Sequence, residues 1–481
     1  MKKFFYISSL FLITLSCSDF LDVEPDEQVS FDEQFSSLEG VQQILSGVYF
    51  QIEAQTSSFI HVYPGIMGGN ITFAPRIINK VLEVPSNINL TYSFQNTPES
   101  SEFETFYDTG YDIINSVNLA LERVDGLDFL SSLQKDQLLA ELLTARALAH
   151  YQLSLVFAQN INFTGDGSHP GIVYNNSTLQ TGIDFPSRET AAKVYELLQQ
   201  DLETAIDLFT GNSFASNGSE IFYFNEISAR AIYARIALQN NDWTTAASQA
   251  NTVIESSGLN LTSQDAYVNQ WLTDEDLDEF ILSFAAPLTS DLNVSSSIAA
   301  YYLFTNNTTY NRYTASGDLL ELIEAQDIRA SLYEQKSLPT STPTGLENRP
   351  YVFTKKYQAN NQTTYIRLSE MYLIQAEALT RATPGTDLAL QRLNAIRNRA
   401  GLENVDSNAN LLEEIFLERR RELAFESHLL YDIIRYKKDI VRDEGCLSSI
   451  CNLNYPSPFF ILPIPQESID NNENIQQNEG Y

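Results

Sequence analysis

The chain has 481 residues and a net charge of −33 at pH 7, with 62 acidic and 29 basic side chains. So acidic a surface repels nucleic acid and anionic lipid headgroups, which argues against both as partners, whereas uncharged ligands meet no such repulsion. The acidity also suits a protein adapted to a salty habitat, and composition leaves that alternative open.

The N-terminus has the pattern of a secretory signal. Lys2 and Lys3 precede the uncharged apolar run 4–15, which is too short to span a bilayer but fits the core of a signal peptide. The triplet Leu-Ser-Cys ending at Cys17 then resembles a bacterial lipobox. We expect residues 1–16 to be removed and Cys17 to carry the lipid anchor; the alternative is an ordinary signal peptide with a chance cysteine.

The other two cysteines are Cys446 and Cys451. An exported protein meets an oxidising compartment, so this close pair predicts a local disulfide. A zinc site would require further ligands, and no histidine lies nearby in the sequence.

Helical periodicity predicts helices over 37–53, 103–124 and 133–158, followed by a helix that Ser187 opens. Two helical hairpins follow. The first covers 225–256, turns at 240–242 and has Asp242 as a cap; the second joins 364–381 to 386–400, and a last long helix covers 410–440. Small residues recur where helices must approach closely, as in tetratricopeptide-type hairpins: Ala229, Ala234, Ala246, Ala247, Ala376 and Ala378.

Three long stretches have no helical period: 56–102, 257–362 and 441–481. They are rich in Asn, Thr, Ser, Pro and aromatic residues. Loops of this length in a folded domain are usually functional or disordered, and their aromatic content argues against disorder.

Seven strings resemble, in the correct order, the SusD-like (SusD/RagB) lipoproteins of Bacteroidota. The departures include Tyr107 where the family has Trp, Val117 where it has Ala, and Ser427 where it has Gly. The strings are CSDFLDVEP (17–25), FYDTGYDIINSVN (106–118), AELLTARALAHYQL (140–153), RLSEMYLIQAEAL (367–379), LNAIRNRAGL (393–402), ERRRELAFESHLLYDIIR (418–435) and LPIPQESIDNNENIQQNEGY (462–481).

The resemblance implies an all-α fold, in which tetratricopeptide-like hairpins form a scaffold and long loops carry the ligand-binding region. It implies one such domain over 17–481. Members of the family lie on the outer face of the outer membrane and cap a SusC-like TonB-dependent transporter as a hinged lid. They hand over glycans, or in some members peptides, and they bind without hydrolysing.

A search for catalytic motifs agrees with a binding protein that needs no cofactor. The sequence contains no HExxH, GxSxG, P-loop or GxGxxG string. With so many acidic residues, some carboxylates will meet in pairs by chance, so the sequence does not exclude a catalytic pair of carboxylates. The sequence has four histidines: His61, His150, His169 and His428. His150 and His428 lie in helical segments and are predicted to be structural.

Two charged runs are predicted to be structural as well. The acidic run 274–279 imitates the start of an EF-hand loop, but Glu279 stands where Gly is needed and Ala285 where the bidentate Glu is needed, so we expect no metal there. In ERRRELAFE, Glu418, Arg421, Glu422 and Glu426 are three or four residues apart and can pair along one helix.

Glycan binding would use flat aromatic faces together with polar side chains for the sugar hydroxyls. Trp243 and Trp271 are predicted to pack internally, which leaves Tyr and Phe of the long loops. The ligand surface implied by the resemblance draws on two segments, and we expect about a third of the candidates to contact ligand. The candidates are Asn70, Phe73, Arg76, Tyr92, Phe94, Tyr301, Tyr302, Tyr310, Arg312 and Tyr313.

The sequence therefore predicts a surface lipoprotein that binds glycan and delivers it to a SusC-like transporter. Two alternatives remain. One is a peptide-binding member of the same family, and the other is an assembly lipoprotein that docks a protein partner and binds no small ligand. A third alternative, that the protein is an enzyme, has the least support.

Overall fold

The computed structural model describes residues 31–180, 182–215, 219–273, 278–285, 298–357, 362–406 and 409–481. The leader and Cys17 lie outside these residues. Within the described ranges, no helix combines the length and apolar character needed to cross a bilayer.

Helices make up most of the regular structure, and the longer ones stack one after another. Helix α5 packs on α6, α6 on α7, α7 on α8, α8 on α9 and α9 on α13. The helices are α1 (Phe31–Gln34), α2 (Leu38–Thr56), α3 (Tyr63–Gly68), α4 (Asn89–Tyr92), α5 (Glu104–Leu121), α6 (Ser132–Phe157), α7 (Ala191–Leu208), α8 (Glu226–Gln239), α9 (Trp243–Ser256), α10 (Gln264–Leu272), α11 (Ala299–Tyr302), α12 (Gly317–Leu320), α13 (Leu368–Ala382), α14 (Asp387–Arg399), α15 (Leu411–Glu422), α16 (Leu429–Arg435) and α17 (Gln466–Asn471).

The first predicted hairpin, α8 and α9, is confirmed. Its turn places Asn241 in the left-handed region at φ 59°, and the Asp242 carboxylate accepts the Thr245 amide at 3.1 Å. Small side chains let the helices of both hairpins approach closely. All six predicted alanines are buried: Ala229, Ala234, Ala246, Ala247, Ala376 and Ala378.

Two predicted helix starts are wrong. Helix α7 begins at Ala191, and the Thr190 hydroxyl, not Ser187, accepts the Lys193 amide at 3.2 Å. Residues before Thr190 stay extended because Glu189 exchanges backbone hydrogen bonds with the segment 171–172. Similarly, α13 begins at Leu368 rather than at 364, because residues 362–367 form a strand.

The predicted helix 410–440 is broken in the middle. Helix α15 ends at Glu422 and α16 begins at Leu429. Between them Phe425 (φ 68°) and Ser427 (φ 67°) adopt the left-handed conformation, which no α-helix continues. The break turns Glu426 away from the helix face on which the sequence placed it.

Of the eight strands in the described residues, seven lie in the long stretches that lack helical period, and the eighth is the strand 362–367. The sequence predicted none of them. Strands β1, β5, β7 and β6 form one sheet in that order, β2 pairs with β8, and β3 with β4. The strands are β1 (Ile71–Phe73), β2 (Phe280–Ala285), β3 (Phe304–Asn306), β4 (Thr309–Tyr310), β5 (Tyr313–Ala315), β6 (Tyr333–Thr342), β7 (Gly345–Thr354) and β8 (Gln362–Arg367).

The two largest apolar cores of the described residues lie in different regions. The scaffold core is formed by the helices and includes Leu148, Leu202 and Ile232. The strand-region core is formed by β1, β5 and the neighbouring short helices and loops, with Trp271 of α10 and Tyr302 of α11 fully buried within it. Trp271 thus packs internally, as predicted, and Trp243 also packs against the scaffold core.

A cluster of buried ion pairs joins the two regions, and we call it the charge cluster. At its centre the Glu422 carboxylate accepts hydrogen bonds from Arg367 at 2.6 Å, from Arg329 at 2.9 Å and from Arg399. Helices α14 and α15 of the scaffold contribute Arg399, Glu418 and Glu422 to it. Arg367, at the end of β8, lies over the ring of Trp271 in the strand-region core. The cluster consists of Glu279, Arg329, Lys356, Arg367, Arg399, Glu418, Glu422 and Glu426.

The structural role predicted for ERRRELAFE is therefore confirmed, but its pairing is mostly long-range. Within the segment, only Glu418 and Arg421 pair as expected from helical spacing, at 2.8 Å. Glu422 and Glu426 pair instead with residues of β8, α14 and the loops.

Candidate functional site

Pairing of β1 with β5 brings together the two segments that hold the ten candidate residues. Ile71 lies opposite Ala315 and Phe73 opposite Tyr313, although these partners are about 240 residues apart in the chain. The ring centroids of Phe73 and Tyr92 are 5.2 Å apart, and those of Phe73 and Tyr313 are 5.9 Å apart. The candidates therefore share one region of the molecule.

Burial divides these candidates into two groups. Phe94, Tyr301 and Arg312 are partly exposed, and Arg76 is exposed. The other six are buried, which hides their faces from a ligand and makes them part of the supporting core: Asn70, Phe73, Tyr92, Tyr302, Tyr310 and Tyr313.

The polar candidates already have protein partners. Arg76 pairs with Glu83 at 3.0 Å, and Arg312 donates to the backbone oxygens of Ala74, at 3.1 Å, and of Glu83. The Asn70 side-chain oxygen accepts from Arg420 at 2.7 Å. These contacts fix the loop 70–83 against β5, so that the aromatic residues beside it are held in place.

Phe59, which the sequence analysis did not single out, completes the surface. It is partly exposed and its ring centroid lies 5.9 Å from that of Tyr301 and 5.9 Å from that of Tyr313. Beside it is a cleft of about 250 Å³, which we call the aromatic cleft. Its lining is Ala54, Gln55, Ser58, Phe59, Ile60, Glu102, Phe103, Thr105, Phe106 and Thr109.

The rim of the aromatic cleft is polar. Glu102 accepts the backbone amides of Leu90 at 3.1 Å and Thr91 at 2.9 Å, which ties the loop of α4 to the cleft wall. The side-chain oxygen of Gln55 is buried in the lining and has no hydrogen-bond partner within the part of the chain that the structure describes. The cleft therefore combines an aromatic wall with the hydroxyl groups of Ser58, Thr105 and Thr109.

Burial raises the pKa of Tyr301 to about 12, so its hydroxyl keeps its proton at neutral pH and can donate a hydrogen bond. An aromatic ring with a polar end suits a ligand that has both C–H faces and hydroxyl groups.

The sequence does contain a signal that could have indicated Phe59 as a candidate. This aromatic residue follows directly on the polar residues 55–58 at the end of α2.

Of the two histidines predicted to be structural, His150 is buried and the side chain of His428 is 10% exposed. His150 is buried and stacks on Tyr174 with ring centroids 3.8 Å apart; its Nδ1 donates to the Arg146 carbonyl at 3.0 Å, and its Nε2 accepts from the Asn175 amide at 3.0 Å. Burial lowers the pKa of His150 to about 3. Burial also lowers the pKa of His428 well below its ordinary value.

Cys446 and Cys451 form a disulfide, with Cα atoms 5.9 Å apart, as the sequence predicts. Most of the acidic run 274–279 lies outside the described residues. Its last member, Glu279, is buried and pairs with Arg367 at 2.6 Å and with Arg399 at 3.1 Å, so this carboxylate belongs to the charge cluster.

Two family profiles match successive parts of the chain. The SusD family matches residues 300–481. A family described as starch-binding and associating with the outer membrane matches residues 19–238, so that only residues 1–18 and 239–299 are unmatched. The chain belongs to the SusD-like family. The resemblance found in the sequence is confirmed.

Individual proteins agree with this assignment. SusD-like protein P38 of Formosa agariphila is 23% identical over 500 residues, which cover 92% of this chain and 93% of that protein. A SusD superfamily protein of Bacteroides thetaiotaomicron superposes with a TM-score of 0.79 at 24% identity, over 92% of this chain and 99% of that one. A putative sugar binding protein of Bacteroides vulgatus has a TM-score of 0.78 at 22% identity, over 93% and 99%. The predicted helical fold of the SusD-like family is thereby confirmed.

Proposed function

We propose that this SusD-like protein binds a glycan at the aromatic cleft and passes it to an outer-membrane transporter. The observation that carries the proposal is the pair of partly exposed rings, Phe59 and Tyr301, beside a polar rim. Aromatic faces cover the C–H faces of sugar rings, while hydroxyls and amides take the sugar hydroxyls. Concave sites with an apolar wall and a few placed polar groups are typical of small-ligand binding.

The comparisons support this ligand class. One matching family is described as starch-binding, and one of the similar solved structures is a putative sugar binding protein. Of the ten residues predicted from sequence, we propose that Tyr301, Phe94, Arg76 and Arg312 contact ligand, because these four are accessible. The six buried candidates would act through packing, by holding the accessible rings in place.

We further propose that Cys17 carries the lipid anchor and that residues 17–481 form one domain on the outer surface of the outer membrane. The description of the family that matches residues 19–238 supports that membrane. The partner would be a SusC-like TonB-dependent transporter. Protease treatment of intact cells tests the placement: the protein is degraded if it faces outward and survives if it faces inward.

The decisive experiment compares the wild type with Phe59→Ala and Tyr301→Ala on a panel of oligosaccharides, by calorimetry. We expect each change to weaken the binding of the best ligand about tenfold, which corresponds to about 1.4 kcal/mol. Phe129→Ala serves as the control, because Phe129 is an exposed ring that does not line the cleft, whereas Phe59 lines it and Tyr301 contacts the ring of Phe59. Equal affinity of wild type and both cleft variants would refute the site.

The same assay separates the alternatives. A pool of peptides that binds where no glycan does would make the protein a peptide-binding member of the family. Retention of nutrient uptake in both cleft variants would favour an assembly lipoprotein. Recovery of the bound oligosaccharide unchanged is the outcome expected of a binding protein, and its cleavage by the pure protein would indicate an enzyme.

A further inference from the structure

The segment 89–96 carries Phe94 and is fixed to the rest of the molecule by two charged side chains. One is Glu102 of the aromatic cleft, whose carboxylate accepts two backbone amides of the segment at 3.1 Å and 2.9 Å. The other is Arg442, which donates from Nη1 to the Tyr92 carbonyl at 3.1 Å. Only Glu102 lines the cleft, so the arginine supports the segment from outside it.

Arg442 also lies between two aromatic rings. Its guanidinium carbon is 4.1 Å from the ring centroid of Tyr92 and 5.0 Å from that of Phe94. A cation over an aromatic face is attracted by the charge distribution of the ring, and the attraction is stronger where water is excluded. Arg442 is 2% exposed, so water is largely excluded from these contacts. The arginine therefore holds the Phe94 ring directly as well as through the backbone of the segment.

Backbone carbonyls are the hydrogen-bond acceptors of Arg442, and no carboxylate of the described residues forms an ion pair with it. Besides the Tyr92 carbonyl, its Nε donates to the Cys451 carbonyl at 3.1 Å and its Nη2 to the Ile450 carbonyl at 2.6 Å. Burial lowers the pKa of Arg442, because the charged form is costly to remove from water. The three carbonyls and the two rings offset that cost, so the position of the guanidinium depends on all of them.

A disulfide closes the loop that supplies two of these three carbonyls. Cys446 and Cys451 form the bond, and Ile440 and Leu453 exchange backbone hydrogen bonds of 2.9 and 3.0 Å at the base of the loop. We call residues 440–453 the disulfide loop. The cross-link restricts the conformations of the loop, and the carbonyls stay where Arg442 can reach them.

Two further contacts attach the disulfide loop to the strand region. The Thr72 hydroxyl of β1 donates to the Gly445 carbonyl at 2.7 Å, and the Leu447 amide donates to the Tyr92 hydroxyl at 3.4 Å. Gly445 has φ 95°, and a Cβ there would lie 2.9 Å from the Thr72 hydroxyl oxygen, so this close approach requires glycine. The position of the loop is thus set by contacts that do not involve Phe94.

We propose that Arg442, supported by the disulfide loop, is a positioning residue for ligand binding that holds Phe94 in the orientation in which its ring meets the glycan. The inference rests on the proposed glycan site, because Phe94 is one of its four accessible candidates. A ring already held in its bound orientation loses less conformational freedom when the ligand arrives, and this raises affinity without a new contact. Arg442 itself is buried and acts through the ring.

Hydrogen exchange in the ligand-free protein tests whether Arg442 supports the segment. Arg442→Gln removes the cation from between the rings, and Cys446→Ser/Cys451→Ser removes the cross-link while Arg442 stays. We expect the amides of residues 89–96 to exchange at least about tenfold faster in both variants than in the wild type, because local opening becomes easier.

Arg188→Gln is the matched control for Arg442→Gln. Burial lowers the pKa of Arg188 too, and its guanidinium likewise donates to backbone carbonyls, those of Gly171 at 2.7 Å and Gln476 at 2.8 Å. Neither of these partners lines the aromatic cleft. In this variant the exchange of residues 89–96 should stay as it is in the wild type.

The affinity for maltohexaose, a fragment of starch, tests the effect on binding, with the best ligand of the oligosaccharide panel as a second probe. We expect Phe94→Ala and Arg442→Gln each to weaken binding about fivefold, and the double variant also about fivefold, because the arginine acts through the ring. Arg442→Lys keeps a cation over the rings and should weaken binding only about twofold. Arg188→Gln should bind as the wild type does.

The proposal is overturned if residues 89–96 exchange as slowly in Arg442→Gln as in Arg188→Gln. It is also overturned if the double variant binds about 25-fold more weakly than the wild type, since independent losses multiply. Failure of the proposed function looks different: Phe59→Ala, Tyr301→Ala and Phe94→Ala then all keep the wild-type affinity, while exchange still responds to Arg442→Gln. That result would remove the ligand role of Arg442 as well.

Discussion

The scaffold core and the charge cluster hold the same molecule together by different means. In the scaffold, apolar side chains such as Ile232 pack between helices that alanines allow to approach closely. In the charge cluster, three arginines share the carboxylate of Glu422, and all four side chains are buried. The first region depends on filled volume, and the second on every charge keeping its partner.

This difference implies different responses to small changes. A missing methyl group in an apolar core costs a free energy that scales with the volume lost. A missing charge in a buried cluster leaves its partners uncompensated, and that penalty is large even when the volume is unchanged. Four measurements can sharpen or break this comparison.

The largest effect is expected from Glu422→Gln, which keeps the volume but removes the shared charge. We expect the free energy of unfolding to fall by about 3–5 kcal/mol, because Arg329, Arg367 and Arg399 lose their common partner. Chemical denaturation measures this change.

Glu413→Gln on the same helix is the matched control. Glu413 pairs with Lys438 at 2.7 Å, but both side chains are partly exposed, so we expect a loss of about 0.5 kcal/mol or less. Equal effects of the two substitutions would show that the cluster is not a special support of the fold.

The second effect is a difference in pH dependence, because a group in each region loses its contribution to stability in a different pH range. Burial lowers the pKa of His150 in the scaffold to about 3, whereas an unfolded chain titrates near 6.5. The unfolded state therefore binds the proton first, and stability falls as the pH drops below about 6.5, by about 2 kcal/mol at pH 5 from this histidine. The arginines lower the pKa of Glu422 well below its usual value of 4.5, so its contribution is lost only at lower pH.

Denaturation of His150→Gln at pH 7 and pH 5 tests this. The difference in unfolding free energy between the two pH values should shrink by about 2 kcal/mol relative to the wild type. In Glu422→Gln that difference should stay unchanged, because the carboxylate titrates below this range. An unaltered difference in His150→Gln would contradict the assignment of the histidine.

A third, smaller effect is expected in the scaffold core from Ile232→Val. Ile232 is buried in α8, and loss of one methyl group should cost about 1 kcal/mol. The same denaturation series measures it. A loss above about 3 kcal/mol would erase the contrast with the charge cluster.

The smallest expected effect is a gain in stability. Ser427 has φ 67° between α15 and α16, where a glycine is free of strain and a side chain is not. Ser427→Gly should stabilise the protein by about 0.5–1 kcal/mol, after loss of the bond from its hydroxyl to the Ile60 carbonyl. Ser427→Ala keeps the strain and loses the bond, so it should destabilise; a gain from both would refute the explanation.

Several features could be predicted from sequence because their causes are local. Helical period and the cap at Asp242 depend on residues a few positions apart, and the Cys446–Cys451 disulfide closes a short loop. The strands β1 and β5 could not be predicted, because each has only three residues and its partner is about 240 residues away.

The candidate site also has features that could be predicted from the sequence and features that could not. Sequence resemblance selected the two segments that meet at β1 and β5, but it did not separate the partly exposed Tyr301 from the buried Tyr302 next to it. It also missed Phe59, whose neighbours Tyr301 and Tyr313 are distant in the chain. Exposure depends on what packs against a side chain, and that is a property of the folded chain.

The sequence by itself determined the family, the helical scaffold and the strong negative charge, since these follow from residue types and short-range order. Only the tertiary structure decided which partners the charged side chains have. It assigned Glu279, Glu422 and Glu426 to buried arginines and a lysine. It left Asp108 and Asp112 exposed, and among the residues that the structure describes no cation pairs with either of them. Acidic side chains look alike in a sequence, and their partners become known only when distant segments meet.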